Sequence, residues 1–91
     1  MSASKRERTQ VAFGETLREI RSAAGISQEK LALESGCHRT YVSLLERGLK
    51  SPSLSILFRI AEALHIAPSD IVRHVEARLA RADHREPGKG S

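Results

Sequence analysis

The polar side chains with the most useful chemistry in this 91-residue chain lie close together: His38, Arg39, Thr40 and Tyr41 in an unbroken run, then Ser43, Arg47 and Lys50. An arginine presents a planar fork of N–H donors, which fits a carboxylate, a phosphate or the O6/N7 edge of guanine through two parallel hydrogen bonds. Threonine adds a hydroxyl for a base edge and a methyl that can touch the methyl of thymine. Hydroxyls and lysines suit phosphate oxygens, which fix position without conveying sequence. The chain carries a formal charge of +4, so a run of this kind points to a polyanionic partner, whose condensed counterions are released on binding.

Catalytic chemistry is poorly served. His38, His65, His74 and His84 are scattered, with no carboxylate or cysteine at metal-ligand spacing, and there is no glycine-rich phosphate loop. Cys37 is the only cysteine, which excludes an intrachain disulfide and a cysteine zinc cluster. It reads as a small filler at a turn, with a redox switch as the lesser alternative. The expectation is therefore a protein that is not an enzyme and uses no cofactor, metal or small-molecule ligand. No apolar run approaches the roughly 20 residues that span a bilayer, and the N-terminus lacks the apolar stretch of a signal peptide, so a cytoplasmic protein is expected.

These side chains need helices to hold them. Hydrophobic residues make up 40% of the chain and charged residues 29%, the balance of an ordinary globular domain, and the length allows one domain. Apolar spacing is helical throughout and predicts an all-α, compact five-helix bundle over residues 10–82. Residues 1–9 are expected to form a flexible arm. Residues 83–91, with Pro87, Gly88 and Gly90, are expected to form a disordered tail.

The first helix is expected from about Thr9 to Ala24, with Phe13, Leu17, Ile20 and Ala24 on its inner face and Gly25 ending it. Ser27 caps a short second helix that stops near Ser35-Gly36, with Leu31 and Ala32 inward. A third spans roughly His38 to Arg47, with Val42 and Leu45 inward and Gly48 after it. The fourth runs from about Ser53 to Leu64, with Leu54, Leu57, Phe58, Ala61 and Leu64 inward. The fifth starts at Pro68 and lasts to about Ala82. Arg78, Arg81 and Arg85 read as a solvated basic face.

Residues 28–45 carry the strongest signal. Where two helices meet through a tight turn, the first needs a small residue at the crossing, here Ala32. The turn needs a residue that accepts positive φ, here Gly36, and the angle between the helices needs filling, here by Val42 and Leu45. In "GISQEKLALESGCHRTYVSLLERG" followed by "SPSLSILFRIAEALHI", the chain resembles the phage repressor/Cro-like (lambda-repressor-like) family of helix-turn-helix transcription regulators, over about residues 12–76. The segment "HRTYVSLLERG" resembles the controller proteins of restriction–modification systems, although His38 stands where those proteins often have an acid.

The resemblance implies a DNA-binding domain whose third helix enters the major groove N-terminus first. Arg39, Thr40 and His38 are then the base-reading candidates, and Gln28, Ser43, Tyr41, Lys50 and Arg47 the backbone candidates. Gln28 either bonds a phosphate or braces the recognition helix. Tyr41 either packs at the core edge or gives its hydroxyl to a phosphate. Lys50 contacts the backbone or is a free surface lysine, and Arg47 meets phosphate or only complements the helix dipole. Glu46 is unfavourable beside phosphates and at a helix C-terminus. The resemblance implies that it pairs with Arg21 in a structural salt bridge.

The fifth helix carries Ile71, Val72, Val75 and Leu79, more apolar surface than the end of a small monomer obviously needs. Either these residues only close the core, or they form a dimer seam with the end of the fourth helix, as the controller proteins' homodimeric state implies. A homodimer would set two recognition helices about 34 Å apart on a palindromic operator of double-stranded DNA. A competing reading is an antitoxin that also binds its own promoter. Such proteins often carry a longer partner-binding extension than the eight or so residues of this tail.

Overall fold

The computed structural model describes residues 4–85, and within them the chain forms five helices and no strand: α1 (Lys5–Ala23), α2 (Gln28–Ser35), α3 (Arg39–Glu46), α4 (Leu54–Ala63) and α5 (Pro68–Arg85). Serine hydroxyls fix three of the starts. Ser4, Ser27 and Ser53 accept from the backbone N–H groups of Glu7, Lys30 and Ile56 at 3.0–3.1 Å, each satisfying a donor that the first helical turn leaves without a partner. At Ser4 the bond is reciprocated, because the Glu7 carboxylate accepts from the Ser4 N–H at 2.9 Å. This capping box starts α1 four residues ahead of its apolar pattern, so residues 5–9 are helical and not an arm.

The first four helices end alike. A residue at positive φ turns the chain out of each helix, and the next N–H reaches back to a carbonyl in the last turn. Gly25, Gly36 and Gly48 take this position in the first three, and His65 takes it in the fourth at φ 57°. The fifth helix continues past its last core residue to Arg85, because the alanines and arginines there are strong helix formers. The tail expected at 83–91 is thus helical through residue 85, and the remainder lies outside the described residues.

The core is aliphatic apart from Phe13 and draws on every helix. Phe13 and Leu17 of α1, Leu31 and Ala32 of α2, Val42 and Leu45 of α3, Ile60 and Ala61 of α4, and Ile71 and Val75 of α5 form one cluster. Several expected faces are rotated. Ala24 is exposed, while Ala12 and Thr16 lie on the inner face of α1. In α4, Ile60 and Ala63 point inward, and Leu54 and Phe58 point out. Ile71 and Val75 are buried in the protomer's own core; of the four residues assigned to that seam, only Val72 is exposed. Leu79 is half-buried against the core.

Two polar clamps lock the bundle. Arg78 is half-buried and engaged, not part of a free solvated face. Its Nε donates to Thr16 Oγ1 at 3.1 Å, Nη1 to Glu15 at 3.4 Å and Nη2 to Glu19 at 2.6 Å, tying α5 to α1. Arg59 of α4 donates to the carbonyls of Ser35 and Gly36, each at 3.1 Å, and holds the end of α2.

Gly14 sets how closely α3 approaches α1. A Cβ there would lie 2.5 Å from the Leu45 carbonyl oxygen and 2.7 Å from that of Glu46, both backbone atoms that cannot swing aside. Alanine should improve helix propensity by about 1 kcal/mol, but overpacking typically costs about 1–3 kcal/mol. Two backbone contacts this short put the cost at the upper end. Gly14→Ala is therefore expected to lower the thermal midpoint by several degrees. A raised midpoint would mean that the α1–α3 approach has slack.

Candidate nucleic-acid interface

The recognition segment divides into a buried back and an open front. Val42 and Leu45 are fully buried, whereas His38, Arg39 and Thr40 are exposed at the start of α3, with Tyr41 and Ser43 half-buried beside them. His38 occupies the N-cap with extended backbone, yet its side chain makes no capping hydrogen bond. The first N–H groups of α3 thus face outward without a side-chain acceptor, and they add their partial positive charge to Arg39. Arg47 and Lys50 are exposed at the other end of the helix.

The brace behind α3 is Glu46. It accepts from Arg21 Nε at 2.5 Å and Nη2 at 3.0 Å, a bidentate pair, and from Gln28 Nε2 at 2.9 Å. Arg21 Nη1 also donates to the Ile26 carbonyl at 2.8 Å. One carboxylate thus joins the end of α1, the start of α2 and the end of α3. The hydrogen bond that Arg21 donates to Glu46 raises the Arg21 pKa above its ordinary value, partial burial opposes the rise, and the Glu46 charge adds to it. The guanidinium stays charged throughout. Gln28 serves as a brace here, and one of its two amide hydrogens remains free to donate elsewhere.

Glu46→Ala removes three charge-assisted hydrogen bonds and leaves the largely covered Arg21 without its anion. It is expected to cost about 2–3 kcal/mol. In urea the midpoint should fall with the slope unchanged. An unmoved midpoint would show that the pair contributes nothing to the fold.

Tyr41 packs against the core edge, and burial, with a smaller push from neighbouring Cys37, raises its pKa above the usual tyrosine value. Its hydroxyl remains a neutral donor at physiological pH. Cys37 is half-buried at the turn, with Sγ 3.9 Å from the Ser35 carbonyl. Among the described residues, no three His, Cys, Asp or Glu side chains gather as a metal site.

Residues 17–71, which include both helices of the turn and the brace between them, match the helix-turn-helix family HTH_3. The chain belongs to this helix-turn-helix family. Control protein C.BamHI of Bacillus amyloliquefaciens is 46% identical over 61 residues, covering 66% of this chain and 75% of that protein. The crystal structure of the restriction–modification controller protein C.AhdI from Aeromonas hydrophila superimposes with a TM-score of 0.72 at 43% identity, over 75% of this chain and 99% of that one. The clp gene regulator ClgR of Corynebacterium glutamicum gives 0.81 at 28% identity, over 85% and 82% of the two chains. This helix-turn-helix protein thus stands among DNA-binding transcription regulators, a family that is not one of enzymes.

Sequence reasoning overlooked a second exposed surface on this helix-turn-helix protein. Leu54 (70% exposed) and Phe58 (55%) on α4 lie with Val72 (45%) of α5 around an apolar groove that Leu57 and Pro68 also line. The signal was present, since α4 is apolar on more than one face: Ile60, Ala61 and Ala63 fill the core, and Leu54 and Phe58 are left over.

Proposed function

We propose that this protein regulates transcription as a homodimer, with α3 of each protomer reading one half of a roughly palindromic operator in the major groove. The observation that carries the proposal is the division of α3: its back is locked into the core by Val42 and Leu45, while Arg39 and Thr40 stand exposed at its uncapped N-terminus. Arg39 reads a guanine, and Thr40 and His38 touch neighbouring base edges. Gln28, Ser43, Tyr41, Arg47 and Lys50 hold phosphates and fix the register.

The dimer seam is the Leu54–Phe58–Val72 surface, which replaces the seam expected at Ile71, Val72, Val75 and Leu79. Exposed apolar side chains gathered in one groove call for a partner surface, and a two-fold axis there makes the contact self-complementary. Likeness to the controllers C.BamHI and C.AhdI supports control of a small set of promoters in a restriction–modification setting, as a repressor or an activator. No helix among the described residues is long and apolar enough to cross a membrane; we place the site of action in the cytoplasm, on operator DNA.

Binding to a duplex, followed by fluorescence anisotropy across a salt series, tests the reading. Affinity is expected to fall with a logarithmic slope of about −0.9 for each phosphate neutralised. A flat salt response would refute backbone binding by this surface.

A further inference from the structure

Resting on that reading, we infer that the phosphate assigned to Lys50 sits in a cleft completed by α1, whose first turns bring Arg6 and Gln10 to the same DNA backbone phosphate at the rim of the groove. Arg6 and Gln10, one helical turn apart on α1, line a cleft of about 340 Å³ together with Leu49, Lys50 and Ser51. Two cations from separate elements share one opening, a primary amide and a hydroxyl supply neutral donors, and no acid among the described residues lines it. Arg21, Lys30, Arg73 and Arg78 are each engaged by a carboxylate, whereas Arg6 and Lys50 have no ion pair among the described residues.

Both walls are held in place. Gly48 packs so closely on α1 that a Cβ would lie 3.0 Å from Val11 Cα, and the Leu49 N–H donates to the Leu44 carbonyl at 3.0 Å. The cleft also lies where DNA would place a phosphate. Eight helical residues span roughly 12 Å, and the major groove is only about 8.5 Å deep. A helix whose N-terminus meets base edges therefore returns the chain to the groove's rim at residues 49–51. The negative end of the α3 dipole would repel a phosphate there, and Arg6 and Lys50 offset it. A nucleotide or an acidic peptide would need a pocket for the rest of the ligand, and among the described residues Leu49 is the only apolar wall. Arg6 and Gln10 precede the matched residues 17–71, so this contact adds to what the family match covers.

Arg6→Gln in the full chain tests the inference. With wild-type protein on its selected operator, the slope of log affinity against log salt is measured and ethylation interference maps the contacted phosphates. In R6Q the slope is expected to become shallower by about 0.9 per protomer, about 1.8 for a bound dimer. Interference at one outer phosphate of each half-site is expected to vanish, with base preference and melting unchanged. Arg6→Lys should restore most of the slope. An unchanged slope and ethylation pattern in R6Q, while loss of Arg39 still cripples operator binding, would overturn the cleft and leave the base-reading proposal standing. An altered base preference in R6Q would overturn it as well. Wild-type binding without salt dependence or sequence preference would overturn both.

Discussion

Arg39→Ala is expected to abolish most operator discrimination while leaving the fold intact. Arg39 is exposed on the first turn of α3 and makes no ion pair among the described residues, so its loss removes nothing from the core. On DNA it is assigned the two-pronged contact to guanine, which discriminates against a wrong base by about 1–3 kcal/mol. A dimer loses the contact twice, so the total is about 2–6 kcal/mol, an affinity loss of about 30-fold or more. Affinity for unrelated duplex should fall far less, and preference should relax at one base pair in each half-site. Competition gel shifts with operator and scrambled duplex read both quantities. An unchanged ratio between the two DNAs would remove Arg39 from the reading surface.

The second large effect concerns the seam. Phe58→Asp and Val72→Asp each place a charge in the exposed groove between α4 and α5. Both side chains are outside the protomer's core, so each variant is expected to fold and to sediment as a monomer. With only one recognition helix engaged at a time, operator affinity should drop about 100- to 10 000-fold, the advantage that linking two sites ordinarily confers. A dimer that survives both substitutions would place the two-fold contact elsewhere. Val75→Asp, the substitution that the apolar spacing alone suggests, would not test this. Val75 is buried in the protomer, and a charge there would unfold it.

The sequence discloses the elements and the motif, but not which side of each helix meets its neighbours. Ser27, Ser53, Gly25, Gly36 and Gly48 mark helix ends because capping and positive φ are local properties. Ser4 and Glu7 carried the same kind of signal, at the spacing of a capping box, and reliance on apolar periodicity alone missed the early start of α1. The faces of α4 and α5 were misread for a different reason. Where a helix is apolar on two sides, periodicity cannot say which side the protomer buries and which it leaves for a partner. That is why Leu54 and Phe58 seemed internal and Ile71 and Val75 seemed available.

Long-range polar pairs are illegible for a third reason. Arg78 reaches Glu15 and Glu19, and Arg59 reaches Gly36, only after the bundle has closed. Glu46 is an instructive exception. An acid at a helix C-terminus in a basic protein is costly, and the structure gives it two partners, Arg21 and Gln28. Gly14 could have been flagged by similar logic, since a glycine inside an otherwise good helix costs about 1 kcal/mol and implies a close approach. The carbonyls of Leu45 and Glu46 supply that approach.

The central claim is that two copies of α3 insert together into successive major grooves. Selection of bound duplexes from a random library, at fixed salt and with Arg39→Ala run in parallel, tests it most directly. The wild type should enrich inverted repeats whose half-sites are about one helical turn apart, each with an invariant guanine that the variant no longer selects. Enrichment of no motif, or of a motif identical in the two proteins, would contradict the assignment of α3 as the reading helix.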